Sequence, residues 1–429
     1  MRLIDRVANA ISRVFYRVDH VGEPPASGPL LLLPNHPNSL LDPALVMATA
    51  GRPIRFLAKS TLFKTPLRPV LRAAGAIPVF RRQDEGVDTS RNTETFAAVD
   101  AALQQGEAVC LFPEGISHST GKLEPLRTGA ARMALSAAAK GVPVRLVPVG
   151  INPDRKTDFR SRMTVVYGPP FAVPQGASAN DLTSEIARHM RRLIVEADPE
   201  ADAALVRRIE RLYRSERLTD RDTLSLIERR RAIAAGVQRL RETDPEWYDT
   251  ALLQFRRYDQ RLRRFGLRDR TLDWNVSRSD AARFVARELP RAIVLVPLAL
   301  VTTVVFAVPY LLTAVIGRLQ RHSDVTASAK AMAGTIFYLV WTVLLGTLVG
   351  KRFGVVSGVL TTAALPLLGI VGLFAIEREL SAWRTARSWL ALRGTHPNTR
   401  QRLRRHRAEL ADVLDQVNTA LAAAKRSPE

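Results

Sequence analysis

An imidazole and a carboxylate stand close together near the front of the chain, His36 and Asp42 in the run Asn35-His36-Pro37-Asn38-Ser39-Leu40-Leu41-Asp42-Pro43. Histidine trades a proton most readily near neutral pH. His36 therefore has the chemistry of a general base toward a hydroxyl, and Asp42 that of a group fixing its tautomer and stabilising the imidazolium that forms. A His beside an Asp at a helix start equally suits a capping arrangement, so the pair alone leaves two readings open. A second polar cluster follows in Phe112-Pro113-Glu114-Gly115-Ile116-Ser117-His118-Ser119. It has the Gly-x-Ser-x part of a nucleophile elbow without the closing glycine, which argues against a serine hydrolase. Cys110 lies inside an apolar run, where a small buried hydrophobe is the default. His118 suits a loop hydrogen bond or a structural role equally. The chain has no H-E-x-x-H, C-x-x-C or G-x-x-x-x-G-K, so metal or nucleotide hydrolysis has no anchor, and neither a metal nor a cofactor is expected.

These groups need a frame, and the hydrophobic pattern supplies one. Short apolar runs at Leu30 to Pro34, Ile54 to Ala58, Ala76 to Phe80, Ala108 to Phe112, Val144 to Val149 and Met163 to Val166 read as strands. Helical periodicity falls between them, at about Ser39 to Ala50, Thr93 to Gln105, Ala130 to Ala139 and Asn180 to Ala197. The alternation predicts an α/β domain with a central, partly parallel sheet flanked by helices. Its functional loops should leave the strand ends, where both polar clusters lie.

Charge and hydropathy divide the rest. Against 41 Asp+Glu, 63 Lys+Arg give 429 residues a formal net charge of +22, and 46% of the residues are hydrophobic. Such a chain buries a core and attracts anionic partners, whether a membrane surface, a phosphorylated substrate or nucleic acid. One cysteine excludes a disulfide framework. Residues 1–20 read as a basic amphipathic helix, lying in a membrane interface or packed on a neighbouring domain, without the apolar stretch of a cleaved secretory signal. Residues 200–290 read as an arginine-rich helical region with solvated charged faces. Its arginines alternate with acids such as Glu210, Glu228 and Glu242 and few aromatics flank them, which argues against nucleic acid as a partner. In 291–376 three charge-free stretches, Ala292 to Ile316, Ala331 to Gly350 and Phe353 to Ile376, each meet the ~20 residues that a hydrocarbon core requires. Pro297, Pro309 and Pro366 imply kinks and leave a re-entrant hairpin open, so two to three helices are expected to span. Gly346, Gly350, Gly354 and Gly358 suit a close helix contact or a flexible tight turn. Arg287, Arg291, the Lys351–Arg352 pair and the basic helical tail, 377–429, all favour the cytoplasmic side, which three full crossings cannot satisfy. An integral membrane protein with its catalytic domain in the cytoplasm is the expectation.

The segment from Asn35 to Pro43 resembles the first block of the glycerolipid acyltransferase superfamily, which includes glycerol-3-phosphate and lysophosphatidate (1-acylglycerol-3-phosphate) acyltransferases. Three further blocks follow in that family's order: Gly75-Ala76-Ile77-Pro78-Val79-Phe80-Arg81, similar to G-x-I-x-V-x-R; Phe112 to His118, similar to F-P-E-G-x-S-H, with Leu126-Arg127-Thr128-Gly129-Ala130 behind it; and Val147-Pro148-Val149-Gly150, a strand ending in a V-P-V-G turn. The resemblance implies that residues 21–199 form the acyltransferase domain. It implies a fatty acyl thioester donor, acyl-CoA or acyl carrier protein, with His36 deprotonating the acceptor hydroxyl and Asp42 supporting it. Arg81 and Arg127 then hold the acceptor's phosphate, Ser117 lies in the binding loop, and Gly115 allows close backbone approach. Glu114, as a carboxylate, should accept from the acceptor's hydroxyls or orient an arginine. Here five residues separate His36 from Asp42, where the commonest family pattern has four. On an unbroken helix a six-residue step turns about 600°, so the extra residue must lie in a turn before the helix if the two side chains are to meet. The longer spacing and the Ser-His after F-P-E-G resemble the fungal-type glycerol-3-phosphate or dihydroxyacetone-phosphate acyltransferases. Phospholipid synthesis is the implied setting. Acylation of lysophosphatidate or another lysophospholipid is the enzymatic alternative, and a non-catalytic basic membrane scaffold the other.

Overall fold

The computed structural model describes residues 3–81, 89–197, 200–217, 222–275, 277–320 and 323–424. The expected boundary at residue 199 and the outermost residues at both ends of the chain lie outside them. Two compact units partition the chain. One comprises 1–203 with 222–231 and 320–331; the other holds the remainder.

Among the described residues, the first unit holds eight strands: β1 (Arg17–Val21), β2 (Leu30–Pro34), β3 (Ile54–Lys59), β4 (Ile77–Val79), β5 (Ala108–Cys110), β6 (Arg145–Pro153), β7 (Arg162–Tyr167) and β8 (Phe171–Ala172). They run in the order β1-β7-β6-β2-β5-β3-β4, with β8 on β6. Every pairing is parallel except β6 with β7 and β6 with β8. Helices α1 (Leu3–Phe15), α2 (Leu41–Thr49), α3 (Arg68–Ala73), α4 (Asn92–Gln104), α5 (Gly129–Ala139) and α6 (Ala179–Arg191) cover the sheet. Central β2 is buried along its whole length. Leu30 and Leu32 face one apolar layer with Leu45 and Val147, while Leu31 and Leu33 face the other with Leu103, Ala134 and Leu146. A strand covered on both faces reads as a continuous apolar run, and that is why Leu30 to Leu33 carries no polar residue.

Two local expectations are corrected. The helix expected over 1–20 is shorter: among the described residues α1 runs from Leu3 to Phe15, and Arg17–Val21 pairs in parallel with β7. Nor does V-P-V-G end in a turn. β6 continues through Gly150 to Pro153, and Gly150 is needed because an added Cβ would collide with the Leu193 main-chain carbonyl.

The second unit is helical. Chain order gives α7 (Glu200–Arg217), α8 (Thr223–Thr243), α9 (Pro245–Arg264), α10 (Arg278–Val305), α11 (Ala307–Leu319), α12 (Ser323–Phe353), α13 (Val355–Gly394) and α14 (Pro397–Ala424), with the ends of α7, α8 and α12 divided between the units as above. The arginines here are less solvated than expected. Arg208 pairs with Asp259 at 2.6 Å and Asp269 at 2.9 Å, and Arg407, 5% exposed at its side chain, holds Glu216 at 2.5 Å and Asp273 at 2.8 Å. The interleaved acids serve as internal counter-ions.

Among the described residues, three helices are long and apolar enough to cross a membrane, 279–305, 325–353 and 355–394. The first expected stretch breaks at Phe306, and Pro309 falls in the first turn of α11, where its missing N–H costs nothing. α10 and α13 pack antiparallel: Glu288 meets Arg378 at 2.7 Å, Thr302 lies against Gly372, and Phe306 lies by Gly369. Gly346, Gly350 and Gly358 bring α12 and α13 together around Gly354, whose φ of +95° turns the chain.

A Gly150→Ala variant is expected to lose about 1–3 kcal/mol, because the Leu193 carbonyl must retreat from the new methyl group. Chemical denaturation monitored by circular dichroism would measure it.

Candidate active site

Parallel β2 and β5 deliver both polar clusters to the same end of the sheet, since Leu32 lies opposite Cys110. β2 stops at Pro34. Asn35 then locks the exit, its side-chain amide donating to Ile151 O at 3.1 Å and accepting from Ile151 N–H at 2.6 Å. The chain bends through 37–40 before α2 begins at Leu41, and Ser39 takes φ +52°, a left-handed conformation unusual for a residue with a Cβ. The helix therefore starts two residues later than expected, and the extra residue lies in the turn.

With the turn so shaped, His36 Nδ1 lies 2.8 Å from Asp42 Oδ2, and the Asn38 N–H donates to the same oxygen at 2.7 Å. The Asp42 carboxylate is fully buried in the first turn of α2, where the helix dipole favours negative charge. Burial raises its pKa, and the His36 hydrogen bond and charge and the Asn38 N–H pull against that rise. An ionised carboxylate only accepts, so in that state Nδ1 carries the hydrogen and Nε2 the lone pair. Nε2 makes no hydrogen bond to a described residue. The imidazole also stacks on Phe112, with centroids 4.0 Å apart and planes 18° from parallel. Tyr16, fully buried, accepts from the Asn38 side chain at 3.2 Å and donates to Lys156 O. Its phenol, pushed up by burial and by nearby Asp42, stays protonated for that bond.

Glu114 does something other than expected. Its carboxylate is 0% exposed; Oε1 accepts from His36 N–H at 2.7 Å, and Oε2 accepts from Glu124 N–H at 3.0 Å and pairs with His118 Nε2. It braces the backbone of His36, with no arginine among the described residues on it and neither oxygen turned to solvent. His118 N–H donates to His36 O at 3.2 Å, and Thr120 Oγ1 lies 2.7 Å from His118 Nδ1. Burial works to lower the His118 pKa, and the hydrogen bond and charge of Glu114, with Glu124 beyond, more than reverse it, so it stands above the ordinary value.

Arg81, Gly115 and Arg127 come together. Gly115 has φ +75°, its carbonyl accepts from Arg81 Nη1 at 2.5 Å, and a Cβ there would press the Arg127 Cγ at 3.3 Å. Arg127 N–H donates to Pro113 O at 2.8 Å and its side chain is exposed, while Ser117 sits half-buried in the same loop. Cys110 is buried in β5, and that burial drives its thiol well up, away from thiolate chemistry. Sequence reasoning missed Tyr16, Asn38, Phe112 and Glu124 as supports, since each acts through a contact far along the chain or through its backbone.

Comparison with known proteins adds an independent finding. Residues 16–152 match the family model described as Acyltransferase. The chain is 25% identical over 359 residues to glycerol-3-phosphate O-acyltransferase 1 of Saccharomyces cerevisiae, covering 74% of this chain and 46% of that protein. Against glycerol-3-phosphate O-acyltransferase 2 of the same yeast it is 25% identical over 285 residues, with 63% and 38% covered. The chain thus spans less than half the length of these relatives. Among solved structures, the 1-acyl-sn-glycerophosphate (LPA) acyltransferase PlsC from Thermotoga maritima aligns with a TM-score of 0.33 at 17% identity, covering 44% of this chain and 76% of that one.

The raised His118 pKa has a thermodynamic consequence. The folded state holds that proton more tightly than the unfolded chain, so its stabilisation is complete below the ordinary imidazole value and disappears as pH rises through the higher folded value. Thermal midpoints taken from about pH 6 to 9 should fall in the wild type and fall less in His118→Gln, with the Glu114–His118 pair as the source.

Proposed function

We propose that the chain, whose residues 16–152 match the Acyltransferase family model, carries an acyltransferase domain of the glycerolipid acyltransferase superfamily and transfers a fatty acyl group from an acyl-CoA or acyl carrier protein thioester to a hydroxyl of glycerol 3-phosphate, or of the closely related dihydroxyacetone phosphate. One observation carries the reading: His36 is tied through Nδ1 to a buried carboxylate and keeps Nε2 unbonded to any described residue. Nε2 takes the hydroxyl proton as the acceptor oxygen attacks the thioester carbonyl carbon. The tetrahedral intermediate collapses, the carbon–sulfur bond breaks, and the proton on Nε2 goes to the leaving sulfur. Asp42 stays ionised and stabilises the transient imidazolium. Arg127, exposed beside the Gly115 turn, and Arg81 offer planar donor forks for the acceptor's phosphate. Glycerol 3-phosphate is favoured as acceptor by the five-residue spacer after His36 and by the names of the two yeast relatives.

The same reading places this integral membrane protein with its catalytic domain in the cytoplasm, and contacts inside the helical unit support it. α11 has 13 residues, about 20 Å, too short for a ~30 Å hydrocarbon core. The break at Phe306 stacks on Tyr338, and Trp341 Nε1 donates to Val305 O at 2.8 Å, both in the middle of α12. α10 and α11 thus form a hairpin that enters and returns on one face, while α12 and α13 cross. Arg287, Arg291, Arg378 and the tail then share a side, opposite Lys351 and Arg352, and the excess of positive charge marks it as cytoplasmic.

Purified full-length protein should transfer acyl chains to glycerol 3-phosphate faster than to lysophosphatidate. His36→Ala should lower kcat by about 10³ while vesicle binding persists. Arg127→Ala should raise KM for glycerol 3-phosphate at least about tenfold through loss of a charge-assisted bond. A wild type that binds vesicles but turns over neither acceptor would instead make it a scaffold. For topology, a thiol-specific membrane-impermeant reagent on intact cells should label Lys351→Cys and leave Arg405→Cys unlabelled until the cells are opened.

A further inference from the structure

One hydroxyl, contributed from far along the chain, holds the turn that carries His36 to Asp42. Ser328, near the start of α12 and within the catalytic unit, donates its Oγ–H to Asn38 O at 2.7 Å and accepts from Leu41 N–H at 3.3 Å. It is 3% exposed. Leu41 N–H also closes onto Asn38 O at 3.2 Å, so the serine bridges the two ends of the same turn. Within that turn Ser39 is held at φ +52°, a conformation that persists only where surrounding contacts over-determine it.

The helix presenting Ser328 is itself fixed. Ala327 and Ala331 are buried in the apolar layer with Leu41 and Leu45, and Lys330 Nζ donates to Thr157 O at 3.1 Å. A hydroxyl inside a helix commonly bonds the carbonyl four residues back. Thr303, Thr313, Thr347, Thr361 and Ser388 all do so here, whereas the Ser328 proton goes across to Asn38. The residue it holds is the one whose N–H donates to Asp42 Oδ2, the oxygen that also meets His36 Nδ1.

We propose that Ser328 is a positioning residue for acyl transfer, fixing the Asn38–Leu41 turn so that the Asp42 carboxylate meets the base. It rests on the acyltransferase reading above. Ser328 touches no reacting atom in this role, and its effect is transmitted entirely through Asp42.

The test is a double-mutant cycle on full-length protein, assayed with an acyl-CoA and glycerol 3-phosphate. Ser328→Ala should lower kcat about five- to tenfold, with both KM values unchanged, as expected for one lost hydrogen bond on the catalytic geometry. Ser328→Thr, which keeps the hydroxyl, should recover most of that loss. In an Asp42→Asn background the Ser328→Ala change should have little further effect, because the group it positions has lost its charge. Hydrogen exchange should show the Leu41 amide less protected in Ser328→Ala, with the central strands as protected as in wild type. An unchanged kcat in Ser328→Ala, or a loss fully additive with Asp42→Asn, would overturn the proposal while leaving the acyltransferase reading intact. A wild type without transfer to either acceptor would overturn both.

Discussion

A buried carboxylate needs donors, and Asp42 finds two on one oxygen, the His36 ring and the Asn38 N–H. Taking an ionised group out of water is costly unless it is paired and hydrogen-bonded, so this requirement governs the local backbone. Both donors precede the helix that carries the acceptor. The chain must fold back between them, and the five-residue spacer does this with Ser39 in the left-handed region. Its other oxygen, Oδ1, has no hydrogen-bond partner among the described residues. The carboxylate thus retains unsatisfied electrostatic demand, which an imidazolium on His36 would meet. In a water-poor surrounding that attraction is far stronger than it would be in solvent.

A few residues away a second acid–imidazole pair has a different fate. Glu114 accepts from two backbone N–H groups and pairs with His118, whose other nitrogen meets Thr120. Both nitrogens of that ring are engaged, and its pKa is raised. His118 is therefore suited to remain charged and to hold the loop. His36 has only one nitrogen engaged and can exchange a proton through the other. The two histidines have the same neighbour type, and connectivity assigns them different work. Glu114 links them, since its Oε1 carries the backbone of His36 while Oε2 carries the ring of His118.

The central strands were legible because a sheet covered on both faces writes itself as unbroken apolar sequence, as Leu30 to Leu33 do. The meeting of His36 with Asp42 was also legible, once the spacer was required to turn before the helix. β1 was hidden: Arg17–Val21 continues the polar–apolar alternation of α1, and its partner β7 lies more than a hundred residues later. The role of Glu114 was hidden for another reason. Residue type says that a carboxylate accepts hydrogen bonds, but only the fold reveals that backbone donors and His118 fill it. Hydropathy likewise sums over Phe306 without seeing that the helix ends there, because Pro309 is apolar yet cannot donate to Val305 O, and Trp341 Nε1 takes that carbonyl instead.

On the acyltransferase reading, a water-soluble acceptor becomes an amphiphile when it receives its acyl chain. Each buried methylene contributes about 0.8 kcal/mol to partitioning, so a long-chain product moves decisively toward the bilayer. An enzyme making it benefits from being attached there. α12 meets that need by covalent continuity, since Ala327, Ser328 and Ala331 sit in the catalytic core and the same helix continues to Phe353 as one of those long enough to cross. A tether alone would require only a flexible linker. On the proposal above α12 does more than tether, because its Ser328 hydroxyl holds the Asn38–Leu41 turn, and the strained Ser39 conformation lies within that turn.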